Sequence, residues 1–134
     1  MKYLSLFLFS LVILGHNCMA QTATKVQDMT FPTTVAGDPK SVIINYADER
    51  AGVFTINGTL GSLFQTRVVQ TSVDMIYGSY AVTASNFVTN PSSGTFGKSP
   101  ITVRIGATAT IESGDNYGGV TYSGTPTFEV VYIK

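Results

Sequence analysis

Apolar and polar residues alternate along most of the chain after residue 20. In the clearest stretch, 101–111, isoleucine, valine and alanine occupy the odd positions and threonine dominates the even ones. Phe128, Val130 and Tyr132 repeat this spacing near the C-terminus. A period of two is typical of a β-strand with one buried face, and no window shows the apolar spacing of an amphipathic helix. The pattern therefore predicts strands and no helices.

Shorter alternating segments are separated by residues that favour turns. Glycine, proline, asparagine and serine cluster between the segments, as at Gly37-Asp38-Pro39 and Asn57-Gly58. The stretch 86–100 is rich in these residues and predicts the longest and most mobile loop. Short strands at this regular spacing predict an all-β fold, an antiparallel β-sandwich of about seven strands in a single domain, 21–134. The shorter predicted strands are 42–46, 54–56, 64–68 and 80–84.

The first 20 residues have the features of a secretory signal peptide. Lys2 provides a positive charge, and residues 3–14 are twelve apolar or small residues. Such a run is too short for a bilayer-spanning helix, which needs about 20 residues. Cys18-Met19-Ala20 favours cleavage before Gln21 over lipidation of Cys18, because bulky polar residues precede the cysteine. We expect an exported protein, in the periplasm, at the cell surface or outside the cell, with no stable membrane insertion after cleavage.

Composition argues against most enzyme classes. His16 and Cys18 are the only histidine and cysteine, and both lie in the predicted signal. Residues 21–134 therefore lack a Ser-His-Asp or Cys-His nucleophile, the usual zinc ligands and any disulfide. Seven positive charges stand against eight negative ones there, so no basic field exists for nucleic acid or anionic lipid. We predict a protein that is not an enzyme, with no catalytic, cofactor-binding or metal-binding residues and no cofactor.

Carboxylates are the remaining candidates for chemistry. A paired-carboxylate hydrolase needs two acids across a cleft, but the acids here lie mostly in predicted turns or on outward strand faces. We interpret them as solvated surface groups. The segment 113–119, with Glu112, Asp115 and Asn116, could offer oxygen ligands to Ca²⁺, yet it lacks the spaced acids of an EF-hand and is better interpreted as a flexible hairpin connection. The acids are Asp28, Asp38, Asp48, Glu49, Asp74, Glu112, Asp115 and Glu129.

Aromatic residues divide into two predicted groups. One group lies on the apolar side of the alternation and is predicted to form the core: Tyr46, Phe54, Phe64, Tyr80, Phe128 and Tyr132. The other lies in or near predicted loops: Tyr77, Phe87, Phe96, Tyr117 and Tyr122. Loop rings of this kind either stack on a sugar or fold back over the core, and the absence of tryptophan favours the second interpretation.

The last third of the chain resembles a known family. The stretch 105–111 (IGATATI), the turn 118–125 and the closing strand Phe128-Glu129-Val130-Val131-Tyr132 are similar to the ending of the bacterial domain of unknown function 4402 family. Residues 29–31 (MTF) and 51–58 (AGVFTING) resemble its N-terminal half. That ending is similar to the ending of spore-coat-U type subunits of archaic chaperone–usher pili. The resemblance implies an immunoglobulin-like sandwich with a surface-fibre or adhesive role, and no catalytic residue.

Two hypotheses about function follow. In the first, the protein is a structural or adhesive surface protein that self-associates as a pilus-like fibre subunit, with or without a chaperone, by strand addition. Residues 22–26 are short and weakly apolar for a donor strand. Either 26–35 is the donor, or the protein is a complete monomeric sandwich or an end subunit that accepts a strand without donating one. In the second, it is a monomeric periplasmic or extracellular module that binds a small ligand or glycan, with an aromatic cluster near Phe87, Phe96 or Tyr117.

Overall fold

The computed structural model describes residues 2–7, 10–14, 21–35, 40–112 and 121–133. These ranges form two β-sheets, and they contain no helix long and apolar enough to cross a membrane. The predicted all-β fold is confirmed. The strands are β1 (Lys2–Phe7), β2 (Ser10–Leu14), β3 (Thr22–Gln27), β4 (Thr30–Val35), β5 (Lys40–Ile44), β6 (Gly52–Asn57), β7 (Leu63–Val68), β8 (Ser72–Tyr77), β9 (Tyr80–Asn90), β10 (Ser93–Thr95), β11 (Ile101–Ile111), β12 (Thr121–Gly124) and β13 (Thr127–Ile133).

The larger sheet is organised around β11. Its strands follow the order β3-β6-β11-β9-β8-β12-β1-β4. One edge of β11 is shared by β6, opposite 101–105, and β5, opposite 107–111, while β9 lies along the other edge. The smaller sheet has the order β10-β7-β13-β2. The neighbouring strands are antiparallel except for β1 with β12 and β2 with β13, which are parallel.

The core lies between the two sheets. Phe54 of the larger sheet stacks on Phe128 of the smaller one, with ring centroids 4.3 Å apart. Phe96 packs against Phe64 at 4.8 Å and against Tyr132 at 5.4 Å. Contacts of this kind across the interface bury large apolar areas and fix how the sheets face each other. The inward positions of β11, Val103 and Ile105, are fully buried, as the alternation predicts.

The structure contains more strands than the seven or so that the pattern predicts. The additional ones in the described ranges include β3 and β10, which are rich in threonine, serine or charged residues, and β8, in which Met75 is the one fully buried side chain. Their alternation is weak, because few of their side chains reach the core. Hydrogen bonding to a longer neighbour stabilises such segments as strands despite a modest intrinsic preference.

The prediction of a long mobile loop at 86–100 is wrong. β9 continues to Asn90 along β11, and β10 pairs with β7. The pairing shifts at a β-bulge, where residues 86 and 87 of β9 lie between the pairs Ser85–Thr108 and Val88–Gly106. Asn86 adopts a positive φ of 53° there. Asparagine suits both a turn and a bulge, so composition alone did not distinguish the two.

Candidate functional site

One edge of the smaller sheet is covered by a segment from the other end of the chain. β13 pairs with β7 along one edge and with β2 along the other. The second pairing is parallel and runs from Thr127 opposite Ser10 to Val131 opposite Leu14. The outer edge of β13, residues 127–131, therefore accepts an extended strand along five residues, and we call it the acceptor edge.

The same N-terminal segment also completes the larger sheet. β1 lies between β12 and β4, parallel to the first and antiparallel to the second. β1 (Lys2–Phe7) thus belongs to the larger sheet and β2 (Ser10–Leu14) to the smaller one. Most of this segment is the apolar run that the sequence predicts to be a signal peptide, whose removal stays a prediction.

Both faces of β13 are covered along the acceptor edge. Phe128 and Val130 are fully buried on the inner face. Glu129 points to the opposite face and is only 5% exposed, although it was interpreted as a solvated surface acid. That interpretation is wrong because Glu129 lies directly opposite Arg67 of β7, whose Nε donates a hydrogen bond to its carboxylate. A strand buried on both faces normally lies inside a sheet with a partner on each edge.

The predicted donor segment is engaged within its own chain. β3 pairs with β6, so Thr22–Gln27 has a partner strand. Met29 and Phe31 are buried in the core. β4 lies at the end of the larger sheet, and its strand partner is β1. Apart from the hydrogen bond that the Thr30 N–H donates to the Arg50 carbonyl at 3.0 Å, the main-chain partner described for Thr30–Val35 is the N-terminal strand β1.

The aromatic residues only partly follow the predicted division. Phe54, Phe64 and Phe128 are buried, as predicted, and Tyr132 packs against the core. The prediction is wrong for Tyr46 and Tyr80, each 37% exposed, because Tyr46 lies beyond the end of β5 and Tyr80 next to a hairpin turn. Among the predicted loop rings, Phe96 and Tyr122 are buried, Phe87 packs against the core and Tyr77 is 44% exposed. Tyr117 lies outside the described residues.

The acidic residues in the described ranges do not form a cluster of three that could hold a metal ion. No group of three histidine, cysteine, aspartate or glutamate side chains lies close enough there to hold a metal ion. Asp28 pairs with Lys25 at 3.0 Å, Asp48 accepts the Arg50 backbone N–H, and Asp74 accepts the Thr83 hydroxyl. Asp38 and Asp115, with the segment 113–119 considered for Ca²⁺, lie outside the described residues.

Tyr132 gives the fold a specific dependence on alkaline pH. Burial raises the pKa of its phenol above the ordinary value of 10.0. The fold then favours the neutral phenol, so its contribution to stability is complete below pH 10 and is lost as the pH rises through the raised pKa.

We expect the urea midpoint to fall between about pH 9 and about pH 11, and Tyr132→Phe to reduce that fall. Tyr77→Phe, at an exposed tyrosine, is the control and should leave the fall unchanged. An equal fall in Tyr132→Phe and the unsubstituted protein would contradict this account.

No protein-family model matches this chain, and no curated protein matches it either.

Proposed function

We propose that this chain is an exported structural or adhesive surface protein, a subunit that associates with copies of itself by strand addition at the acceptor edge. The observation that carries this proposal is the parallel pairing of β2 with residues 127–131. The segment in that position is the apolar run of a predicted signal peptide. The resemblance to the domain of unknown function 4402 family, and through its ending to archaic pilus subunits, supports the same conclusion.

Removal of the signal would open both sheets at once. The outer main-chain groups of residues 127–131 would lose the partner that β2 provides, and β12 would lose β1. Phe128 and Val130, now fully buried, would then lie on an edge strand. Unpaired main-chain groups beside apolar side chains favour pairing with another extended segment, because that segment restores hydrogen bonds and burial together.

Residues 26–35 are the donor that we propose. With the signal removed, Thr30–Val35 would lose its strand partner β1 and would become available to pair elsewhere. Met29 and Phe31 carry the apolar alternation, and both are already suited to burial between these sheets. At home this segment pairs with β1 in the larger sheet, so its pairing with residues 127–131 of a neighbouring copy would be a new contact, in the position that β2 occupies here.

The test is an electrophoretic comparison of the exported protein. The full chain is expressed in an exporting host, and protein from the cell surface and the medium is run in SDS unboiled and boiled. We expect a ladder that collapses to one band only on boiling, because strand-exchanged subunits resist SDS until they unfold. A single band near the mass of residues 21–134 in both lanes would contradict assembly and would favour a monomeric binding module.

A further inference from the structure

A small pocket opens on the outer face of the larger sheet, where β5 ends against β11 and the bulge of β9. It has a volume of about 230 Å³. Its apolar lining includes Ile43, Tyr46 and Val88, and its polar lining includes Asn45, Asn86 and Thr108. The pocket is separate from the acceptor edge, which lies in the other sheet.

The wall that carries Tyr46 is fixed in place. Gly106 lets the chain pass very close, since a Cβ there would lie 2.5 Å from the Ile44 carbonyl oxygen and 2.8 Å from the Tyr46 nitrogen. Arg104 donates hydrogen bonds to the Tyr46 carbonyl at 2.7 Å and to the Asp48 carbonyl at 2.6 Å. The backbone that carries Tyr46 is therefore held against β11 by Arg104 and by the close approach at Gly106. An anchored backbone reduces the conformational freedom that this residue loses when a ligand packs on it.

On the opposite wall of the pocket lies Asn86, the non-glycine residue with a positive φ in the described part of the chain. Asn86 holds φ at 53° within the β-bulge, a left-handed conformation that asparagine adopts more readily than most other non-glycine residues. Bulges redirect side chains and are frequent beside functional sites. Asparagine meets this backbone requirement and, unlike glycine, also adds an amide to the lining of the pocket.

The lining selects a neutral ligand with one apolar face and several hydroxyl groups. None of the lining residues carries a formal charge. Asn45 accepts the Ala47 N–H with its side-chain oxygen at 3.0 Å, so its NH₂ group is the donor that it can offer. Asn86 and Thr108 add groups that both donate and accept. Ile43 is 71% exposed and Val88 is 51% exposed, which provides an apolar rim.

We propose that this pocket binds one neutral pyranose ring, such as the terminal sugar of a glycan. The volume is below the range of roughly 300–1,000 Å³ typical of drug-sized ligands, so one ring fits and an oligosaccharide would extend into solvent. The C–H face of the sugar packs on Tyr46, and its hydroxyls bond to the two amides and the Thr108 hydroxyl. This proposal does not depend on strand addition, since it uses a different sheet and applies to a monomer or a fibre.

Saturation-transfer NMR tests the proposal directly. The probes are the methyl glycosides of glucose, galactose, mannose and N-acetylglucosamine, each added at millimolar concentration to the protein exported from the full chain. A pocket for one ring should bind with a Kd of roughly 1 mM. We expect saturation transfer to the ring C–H protons of at least one probe.

Three variants locate the binding. Tyr46→Ala removes the ring, and Asn86→Gly removes the amide while keeping the positive φ, so each should weaken binding at least tenfold. Tyr80→Ala is the matched control, because Tyr80 has the same exposed fraction of 37% on another part of the surface. Circular dichroism checks that each variant is folded. Transfer to none of the four probes, or equal transfer in Tyr46→Ala, Asn86→Gly and the unsubstituted protein, would overturn the proposal.

Discussion

Val103→Asp is expected to abolish cooperative folding. Val103 is fully buried in β11, the strand that pairs with β5, β6 and β9. It lies opposite Phe54, whose ring stacks on Phe128 of the other sheet. A carboxylate at this position would be buried without a partner, at a cost above about 5 kcal/mol. That cost approaches the whole stability of a typical domain.

The control for this substitution is Thr102→Asp, which places the same carboxylate on the exposed face of the same strand. We expect it to cost no more than about 1 kcal/mol, because it changes strand preference without burying a charge. Val103→Ala provides a folded variant at the buried site and should cost about 2–3 kcal/mol. Circular dichroism and urea unfolding measure all three. A soluble Val103→Asp protein that unfolds cooperatively, with a urea midpoint near that of the unsubstituted protein, would show that Val103 does not point into the core.

Gly106→Ala has the second largest expected effect. The added Cβ would lie 2.5 Å from the Ile44 carbonyl oxygen and 2.8 Å from the Tyr46 nitrogen. Both obstacles are main-chain atoms, which cannot rotate away as a flexible side chain can. The end of β5 must therefore move away from β11, and we expect a loss of about 2–3 kcal/mol in the free energy of unfolding.

Gly97→Ala is the matched control for this glycine substitution. A Cβ at Gly97 would meet no atom within 4 Å. We expect no loss of stability there, and a gain of up to about 1 kcal/mol from the less flexible unfolded chain. Urea midpoints of the two variants give the comparison. Equal midpoints would contradict the close approach of β5 to β11.

The sequence predicts the central strands of this fold well, because the alternation of apolar and polar residues is clear there. The alternation of 101–111 correctly places Val103 and Ile105 inside, and that of the last strand places Phe128 and Val130 inside. The inward side chains of both strands face the core between the sheets, and the need to bury them imposes a period of two on the apolar residues. The prediction of an all-β fold needs only this local alternation.

The predictions that fail depend on contacts between distant residues. Glu129 is buried because Arg67 of another strand lies opposite it, and no local pattern carries that pairing. Tyr46 continues the alternation of β5, but the strand ends at Ile44 and the ring lies near the surface. The pocket combines residues from three strands, and its only local signals were a glycine and an asparagine, which are as common in ordinary turns.

The acceptor edge also depends on distant contacts. The apolar run at the N-terminus predicts a signal peptide, whereas its pairing with β13 depends on contacts with residues more than 100 positions away. An apolar segment is typical of a signal peptide and of a strand alike, so the sequence alone does not predict the pairing of β2 with β13.

Amide hydrogen exchange at the acceptor edge tests the central claim most directly. The exported protein is separated into monomer and SDS-resistant oligomer, and exchange is measured by mass spectrometry on peptides from β13 and from β7, which serves as the internal reference. Strand addition predicts that residues 127–131 exchange faster than β7 in the monomer and become protected in the oligomer. Equal exchange of residues 127–131 in the two forms would contradict assembly through this edge.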